Sequence, residues 1–343
     1  MWRKLLGFLV IAAIVAGILG YQKYLEIYSP NVADQLDDPY LVIPTGSSFE
    51  DVLQRLTEKN FLIDSSSFVW VAERMKYKRE KMRAGRFQIK PSWSNRRLIS
   101  HLRGGKQAPV RVTLTNERLP EEIAGKVAKK IEADSMDILQ LFRDERFLEQ
   151  NGYDQEDIRT LIIPNTYEFF WNSTAQQFFD RMKKEHDKFW GKEGRRSKAK
   201  RLNLSPGEVY ILASIVERET NRQDEKARIA GVYYNRLQKG MLLQADPTVV
   251  FATRDFQTRR VLNRHLEVES PYNTYKYKGL PPGPISLSAI PTIDAVLNVE
   301  DHDYIFFCAK GDGSGYHAFA KTLSGHNANA ARYRANLKRR GKR

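Results

Sequence analysis

The stretch SPGEVYILASIVERET, Ser205 to Thr220, carries the clearest folding signals in the chain. Ser205 is a good N-cap residue, Pro206 suits the first helical position, and Glu208 completes an S-x-x-E capping box. Apolar residues then recur through most of the stretch, which is typical of a helix that packs on several sides. The sequence therefore predicts a largely buried helix that begins at about residue 205.

This helix ends in a segment with two acidic residues, and one of them lies on its least apolar strip. At about 100° per residue, the small residues Ala213 and Ser214 lie one turn before Glu217, which indicates room for a ligand beside that carboxyl group. Apolar surroundings raise the pKa of a carboxyl group, as a general acid at neutral pH requires. The helix alone leaves a second interpretation open, in which Glu217 faces solvent or pairs with an arginine. Glu219 lies on the opposite side and is predicted to form a structural ion pair or to support the site.

The composition narrows the classes of protein and of partner. The 343 residues are enough for two domains, and 41% hydrophobic residues is typical of a globular protein. The formal net charge of +15 indicates an anionic partner, such as nucleic acid, an acidic lipid surface or an acidic polymer. The single cysteine, Cys308, excludes an internal disulfide framework and a cysteine-rich metal site.

The N-terminus predicts a membrane anchor. Arg3 and Lys4 precede an uncharged apolar run, Leu5 to Gly20, which is short for a membrane span and long for a cleavable signal core. Because no A-x-A pattern follows, we expect an uncleaved anchor over residues 5–21 rather than a removed signal peptide. The positive flank predicts that residues 1–4 stay in the cytoplasm and that the bulk of the chain is exported. Export disfavours nucleic acid and favours a membrane surface or an anionic cell-envelope polymer.

The rest of the chain is predicted to be of the α+β class. Residues 22–38 resemble a polar connector, and residues 39–108 show strand, helix, helix, strand and helix signals, as in a small α+β module. A linking segment over 109–160 and a larger α+β domain over 161–343 follow. The basic stretch KEGRRSKAKR, residues 192–201, is predicted to be a solvated loop, and neither it nor the basic C-terminal tail indicates a function.

Residues that suit sugar recognition follow the ASIVERE helix. LLQADPTVVFA contains Gln244 and Asp246, and SPYNTYKYKGLPPGPIS contains Tyr272, Asn273 and Tyr275 before a Pro-Gly loop. Aromatic faces stack on sugar rings, and amide, hydroxyl and carboxyl groups bind sugar hydroxyls. Each stretch alone also fits a turn. Together they make these five residues the candidates for binding sugar or peptide.

Several motifs together resemble one known family. ASIVERE, NRLQKGMLLQADPTV, SPYNTY, GLPPGPI and HAFAKTLSGHN are similar to motifs of the endolytic murein transglycosylases, the YceG-like family. The upstream IIPNTYEF is similar to a further pattern of that family, so the resemblance runs in order from about Ile162 to His326. The apolar N-terminus and the module that begins VIPTGSSFEDV resemble the family's membrane helix and its LysM-like module.

The resemblance implies a single-pass enzyme of the cytoplasmic (inner) membrane that cuts nascent peptidoglycan glycan strands internally and limits their length. The bond between N-acetylmuramic acid and N-acetylglucosamine would be cleaved, leaving a 1,6-anhydromuramic acid end. The family's catalytic glutamate, the first acid of its A-S-I-[VI]-E motif, falls on Glu217. Peptidoglycan strands are the implied substrate, synthases of those strands are candidate partners, and neither a cofactor nor a metal is expected.

One carboxyl group is sufficient for this reaction. Ordinary glycosidases need two. A lytic transglycosylase uses the C6 hydroxyl of the substrate as its nucleophile, and that hydroxyl is already close to the anomeric carbon. Glu217 would protonate the leaving glycosidic oxygen and then accept the proton of the C6 hydroxyl. Asp246 is a candidate for a supporting role.

Three other functions fit parts of the sequence. A non-catalytic, membrane-anchored peptidoglycan-binding scaffold would keep the aromatic and polar residues, but it needs no acid on a buried helix. An exported serine or metal hydrolase is disfavoured because the chain has no G-x-S-x-G or H-E-x-x-H motif, and His317 and His326 are predicted to be structural or surface residues. A basic nucleic-acid binder is disfavoured by the export signal.

Overall fold

The computed structural model describes residues 2–258 and 260–341, and the chain divides into two compact units. Unit 1 consists of Met1–Arg111, Lys130–Ala133 and Glu168–Thr174. Unit 2 consists of Val112–Lys129, Asp134–Tyr167 and Ala175–Arg343. The mixture of helices with small sheets confirms the predicted combination of helix and strand.

Unit 1 begins with a long apolar helix, α1, over Trp2–Tyr28. By length and composition it can cross a membrane, and among the described residues it is the one helix that can. Its apolar side chains are exposed rather than packed inside the protein. The helix continues past residue 21, where the predicted span ends, into the stretch predicted as a polar connector.

The C-terminal turn of α1 is held by the module that follows it. The Asn95 side-chain amide donates a hydrogen bond to the Glu26 carbonyl oxygen at 2.9 Å. The Arg96 guanidinium donates to the Tyr28 hydroxyl at 2.6 Å and lies over its ring. These contacts stabilise the end of the helix, which is consistent with residues 22–28 being helical rather than forming a connector.

The module of unit 1 has the predicted order of elements. These are β1 (Tyr40–Ile43), α2 (Phe49–Glu58), α3 (Ser65–Arg74), β2 (Gly85–Gln88) and α4 (Asn95–Gly104). The two strands pair antiparallel, with Leu41 opposite Phe87, and both side chains are fully buried. Ser48 and Asp51 form a capping box at the start of α2, as the sequence predicts. The likeness of this module to LysM stays a prediction.

The remaining elements are mostly helices, with two further two-stranded sheets, β3–β4 and β5–β6. The first of them are β3 (Val110–Leu114), α5 (Pro120–Ala128), α6 (Ser135–Leu141), α7 (Glu145–Asn151), β4 (Asn165–Phe169), α8 (Ala175–Trp190) and α9 (Arg195–Arg201). They are followed by α10 (Pro206–Glu219), α11 (Lys226–Gln238), α12 (Asp246–Thr253), α13 (Asn263–Leu266), α14 (Ile290–Leu297), β5 (Phe306–Ala309), β6 (His317–Ala320) and α15 (Leu323–Arg339).

Helix α10 is the central element of the unit 2 core, as the quoted stretch predicts. Ser205 caps it, and the capping box with Glu208 is formed. Val209, Leu212 and Val216 are fully buried. Helices α11, α12 and α14 pack against α10, so its sides are covered by apolar neighbours over most of its length.

The less apolar strip of α10 is covered by another segment of the chain. The prediction that it leaves room for a ligand is therefore wrong. Ala213 and Ser214 are fully buried. The Ser214 hydroxyl accepts a hydrogen bond from the Ile285 N–H at 3.0 Å, and the Tyr210 hydroxyl accepts one from the Ser288 N–H at 3.2 Å. Small side chains let the backbone of residues 285–288 approach closely. The space expected for a ligand is occupied by this segment.

The basic stretch over residues 192–201 is not a loop, so that part of the prediction is wrong, although most of its residues are exposed to solvent as predicted. It contains α9, and Arg195 in this helix is buried. Its Nε lies 2.8 Å from Asp294 Oδ1, and its guanidinium lies over the ring of Phe189 at 4.1 Å. A carboxylate partner and an aromatic face offset the cost of removing this charge from water.

Candidate active site

Two cavities of unit 2 lie beside the C-terminal end of α10, and Glu219 and Asp246 line both of them. We call the first the arginine cavity. It has a volume of about 490 Å³, and Arg118, Arg218 and Arg260 also line it. Such a volume is in the range of ligand-binding sites.

The second, which we call the aromatic cavity, has a volume of about 450 Å³. Ring side chains dominate its wall: Tyr233, Tyr275, Phe306, Phe307, His317 and His326. Because Glu219 and Asp246 belong to both walls, a chain-like ligand that occupies both cavities would pass these two carboxyl groups.

Glu219 is held in an environment that favours its protonated form. Burial raises the pKa of Glu219 to about 7, a hydrogen bond from Tyr233 opposes the rise, and the negative charge of Asp246 adds to it. The Tyr233 hydroxyl donates to Glu219 Oε1 at 2.5 Å. The structural ion pair predicted for Glu219 is not formed with any described residue. Its carboxyl group can therefore carry a proton at neutral pH beside two ligand-sized spaces.

Distant segments of the chain build this environment. Tyr233 lies on α11, and Asp246 is the first residue of α12. The Tyr275 hydroxyl, from the loop after α13, donates to Asp246 Oδ1 at 2.6 Å. The two tyrosines thus each orient one of the two carboxyl groups.

Glu217, two residues earlier, has a different surrounding. Lys226 Nζ lies 2.9 Å from Glu217 Oε2, and the Thr292 hydroxyl donates to the same oxygen. Lys226 also donates to Thr292 Oγ1 at 2.6 Å, and the exposed fractions of these two residues are only 5% and 0%. Glu217 is not among the described residues that line the two cavities. This carboxyl group joins α10 to α11 and α14.

Three of the five predicted binding residues meet at the cavities. Gln244, Asp246 and Tyr275 line the aromatic cavity. Arg236 Nη1 donates to Gln244 Oε1 at 3.2 Å, which orients the amide. Gln244 has a positive φ of 53°, so the chain turns sharply immediately before α12.

The other two predicted residues lie elsewhere. Tyr272 lines a separate cavity of about 650 Å³ with Arg159 and Arg254. Asn273 is fully buried and donates to the carbonyl oxygens of Leu266 and Val268, while its own side-chain oxygen accepts from the Tyr275 N–H. Its hydrogen-bonding groups are used inside the protein, so Asn273 orders the loop that presents Tyr275.

Several site residues were not found from the sequence. Arg218 adjoins Glu219 in the ASIVERE motif, which is a local signal, but Arg118 and Arg260 come from distant segments with none. His317 was predicted to be structural or at the surface. It lines the aromatic cavity, and its Nδ1 lies 2.9 Å from Glu225 Oε2. Among the residues that the structure describes, no group of three or more His, Cys, Asp and Glu side chains could hold a metal ion.

A protonatable carboxyl group between two ligand-sized cavities is the arrangement of an enzyme that uses general-acid catalysis. Comparison with known proteins then identifies the family. The model of the YceG-like family matches residues 41–332, and the chain belongs to this family.

The relatives are curated transglycosylases. The endolytic murein transglycosylase of Bacillus subtilis (strain 168) is 28% identical over 337 residues, which cover 93% of this chain and 91% of that protein. That of Streptococcus pneumoniae (strain D39) is 25% identical, with 96% of this chain and 64% of the longer protein covered. The crystal structure of a YceG-like protein from Listeria monocytogenes matches with a TM-score of 0.56 and 29% identity, covering 84% of this chain and 97% of that one.

Proposed function

We propose that this protein is a membrane-anchored lytic transglycosylase that cleaves peptidoglycan glycan strands internally and limits their length. The observation that carries the proposal is Glu219, whose pKa of about 7 and position between two cavities suit a general acid. The names of the relatives from B. subtilis and S. pneumoniae support the same activity. A scaffold without catalysis would have no use for such a carboxyl group.

The reaction follows from the position of this group. Glu219 donates its proton to the glycosidic oxygen between N-acetylmuramic acid and N-acetylglucosamine while the bond from that oxygen to C1 breaks. The C6 oxygen of the muramic acid forms the new bond to C1, and its proton passes to the Glu219 carboxylate. The product is a 1,6-anhydro end, and the acid is restored. Because C6 belongs to the reacting ring, the nucleophile competes well with water.

We propose Glu219 rather than Glu217 as this acid. The sequence favoured Glu217, and that assignment remains a prediction. Glu219 reaches both cavities, whereas one oxygen of Glu217 is shared between an ammonium and a hydroxyl group that are almost fully buried. A proton donor must reach its substrate, and on that criterion Glu219 is the better candidate.

A second reaction is supported by the presence of Asp246 in both cavity walls. Two carboxyl groups at one site are typical of a glycoside hydrolase, in which the second group activates water or attacks the sugar. With Asp246 in that role, the same strands would end in reducing muramic acid. The two reactions share Glu219 and differ in their products.

Product analysis tests the proposal and separates these reactions. The full-length protein in detergent is incubated with uncrosslinked glycan strands, and the new ends are identified by mass spectrometry. We expect ends that are one water lighter than hydrolysed ends. Reducing ends alone would replace the transglycosylase by a hydrolase, and intact strands would refute both.

For the sugar contacts, we propose that Gln244 and Tyr275 bind the glycan in the aromatic cavity, with Asp246 as support. The amide of Gln244 is oriented by Arg236, and Tyr275 lies in the same wall. Tyr272 and Asn273, which do not line either cavity, receive no direct role.

We also propose that α1 anchors the protein in the cytoplasmic membrane, with Arg3 and Lys4 on the inner side and the bulk of the chain outside. The exposed apolar surface of α1 and these two charges support this topology. Membrane fractionation with protease protection tests it, and a shortened, soluble form would refute the anchor. Synthases of the strands are the proposed partners, and crosslinking in cells tests that association.

A further inference from the structure

The wall of the arginine cavity contains three guanidinium groups and two carboxyl groups, those of Glu219 and Asp246, so positive charge is in excess. Arg118, Arg218 and Arg260 line it, and among the described residues none of the three forms a salt bridge. The Arg218 Nη2 donates to the Asn116 carbonyl oxygen at 2.7 Å, but its Nε is buried and has no hydrogen-bond partner among the described residues. A buried donor of this kind is costly to leave unpaired.

The charges of this wall also act on one another. Burial, and then the charge of Arg118, lowers the pKa of the Arg218 guanidinium, while the charges of Glu217, Glu122 and Glu117 oppose that effect. A bound anion would offset the repulsion between the two arginines.

The apolar part of the wall limits the kind of anion. The Arg118 guanidinium lies over the ring of Phe256 at 4.5 Å, and Phe251, Val250 and Ile285 also line the cavity. Guanidinium groups beside aliphatic and aromatic surface suit a peptide with carboxylate groups better than they suit an uncharged sugar, whose hydroxyls need many polar partners.

We propose that the arginine cavity binds the carboxylates of the peptide stem on the muramic acid residue that is cleaved. This inference rests on the proposed function and adds a substrate preference to it. The stem is attached to the same sugar ring as the reacting C1, and Arg218 and Glu219 are consecutive residues of one cavity wall. A stem held there keeps the ring beside the acid, so strands that carry stems are cut before strands from which the stems have been removed.

The preference follows the charge of the stem, not only its size. Amidation of the stem carboxylates preserves the shape and removes the negative charge. A hydrogen bond between charged groups typically contributes enough to change an equilibrium constant by about 10-fold or more. We therefore expect kcat/KM to fall by about 10-fold when the carboxylates are amidated, and by at least as much when the stems are absent.

The experiment compares three uncrosslinked strand preparations with the full-length protein in detergent: free-carboxylate stems, amidated stems and no stems. Faster cleavage of the first supports the inference. Equal cleavage of all three overturns it while the proposed function stands. Cleavage of none overturns the proposed function and the inference with it.

Arginine variants test whether the preference for charged stems arises in the arginine cavity. Arg118→Gln and Arg218→Gln should lose most of the preference for charged stems, measured within each variant as the ratio of kcat/KM for free-carboxylate stems to kcat/KM for amidated stems, because amidation then removes a charge that no longer has its partner. The Arg218 side chain also donates a hydrogen bond to the Asn116 carbonyl group, so Arg218→Gln can have a folding defect. Arg118→Gln tests the inference independently of that hydrogen bond. Arg196→Gln, which removes the same charge from an exposed position near Asp187, is the control and should keep the full preference. If both cavity variants retain the preference, the stem binds elsewhere.

Discussion

Glu217 and Glu219 are the same residue type, two positions apart at the end of one helix, and they have opposite surroundings. About 200° of helical rotation separates them. Glu217 is packed between Lys226 of α11 and Thr292 of α14, whereas Glu219 faces two cavities with a tyrosine hydroxyl as its partner. The comparison teaches that the neighbours of a carboxyl group, and not its motif, decide whether it contacts other helices or lines a cavity.

Replacing the acid is the strongest way to test this comparison. We expect Glu219→Gln to lower the rate of strand cleavage by about 10²–10⁴-fold or more, because glutamine keeps the shape but cannot donate and then accept the proton. The rate of release of new strand ends measures the loss, and thermal unfolding checks that the fold is retained. If Glu219→Gln cleaves as fast as the parent while Glu217→Gln is inactive and folded, the catalytic role belongs to Glu217, as the sequence predicted.

The second effect is on stability as a function of pH. The pKa of Glu219 in the folded protein, about 7, lies above its ordinary value of 4.5. At pH values between these two, the unfolded chain therefore binds fewer protons than the folded protein. Stability should therefore fall as pH rises from about 4.5 to about 7, by at most about 3 kcal/mol. Glu219→Gln removes this contribution and should be more stable than the parent at pH 8 but not at pH 4. Denaturant unfolding at both pH values measures the difference, and parallel losses in parent and variant would contradict the assigned pKa.

The third effect concerns the other carboxyl group. Glu217→Gln leaves the almost fully buried Lys226 without its anionic partner, and we expect a loss of about 1–3 kcal/mol in the free energy of unfolding with measurable cleavage retained. Glu300→Gln is the matched control, because it breaks an ion pair with Arg228 in which both side chains are substantially exposed, and should cost less than about 1 kcal/mol. Equal losses in the two variants would show that the Glu217 pair is no more important to stability than a surface pair.

The smallest expected effect comes from Tyr233. Its hydrogen bond to Glu219 Oε1 lowers the pKa of that carboxyl group, so Tyr233→Phe should raise it. In the parent, kcat/KM should decline as pH rises through about 7, because the acid loses its proton. In the variant, we expect this decline to shift to higher pH by less than about one unit. A shift to lower pH would mean that Tyr233 favours the protonated form.

Much of the architecture could be predicted from local patterns. The cap at Ser205 with its apolar run predicted α10, and the order of signals over residues 39–108 predicted the elements of the small module. These signals act between residues close in the chain, so they need no knowledge of the rest of the fold. The family motifs, which are short runs of neighbouring residues, indicated the family correctly.

The tertiary structure alone decided which predicted residues meet. Helical periodicity gives the direction of a side chain around its own axis but not what packs against that side. Thus the strip with Ala213 and Ser214 was expected to be open and is covered by the segment around Ile285. The side chain of Asn273, a residue predicted to bind substrate, forms hydrogen bonds within its own loop. By itself, the sequence determined that a buried helix ends in two acidic residues. Which of them faces a cavity depends on Lys226, Tyr233 and Asp246, and these residues approach α10 only when the chain is folded.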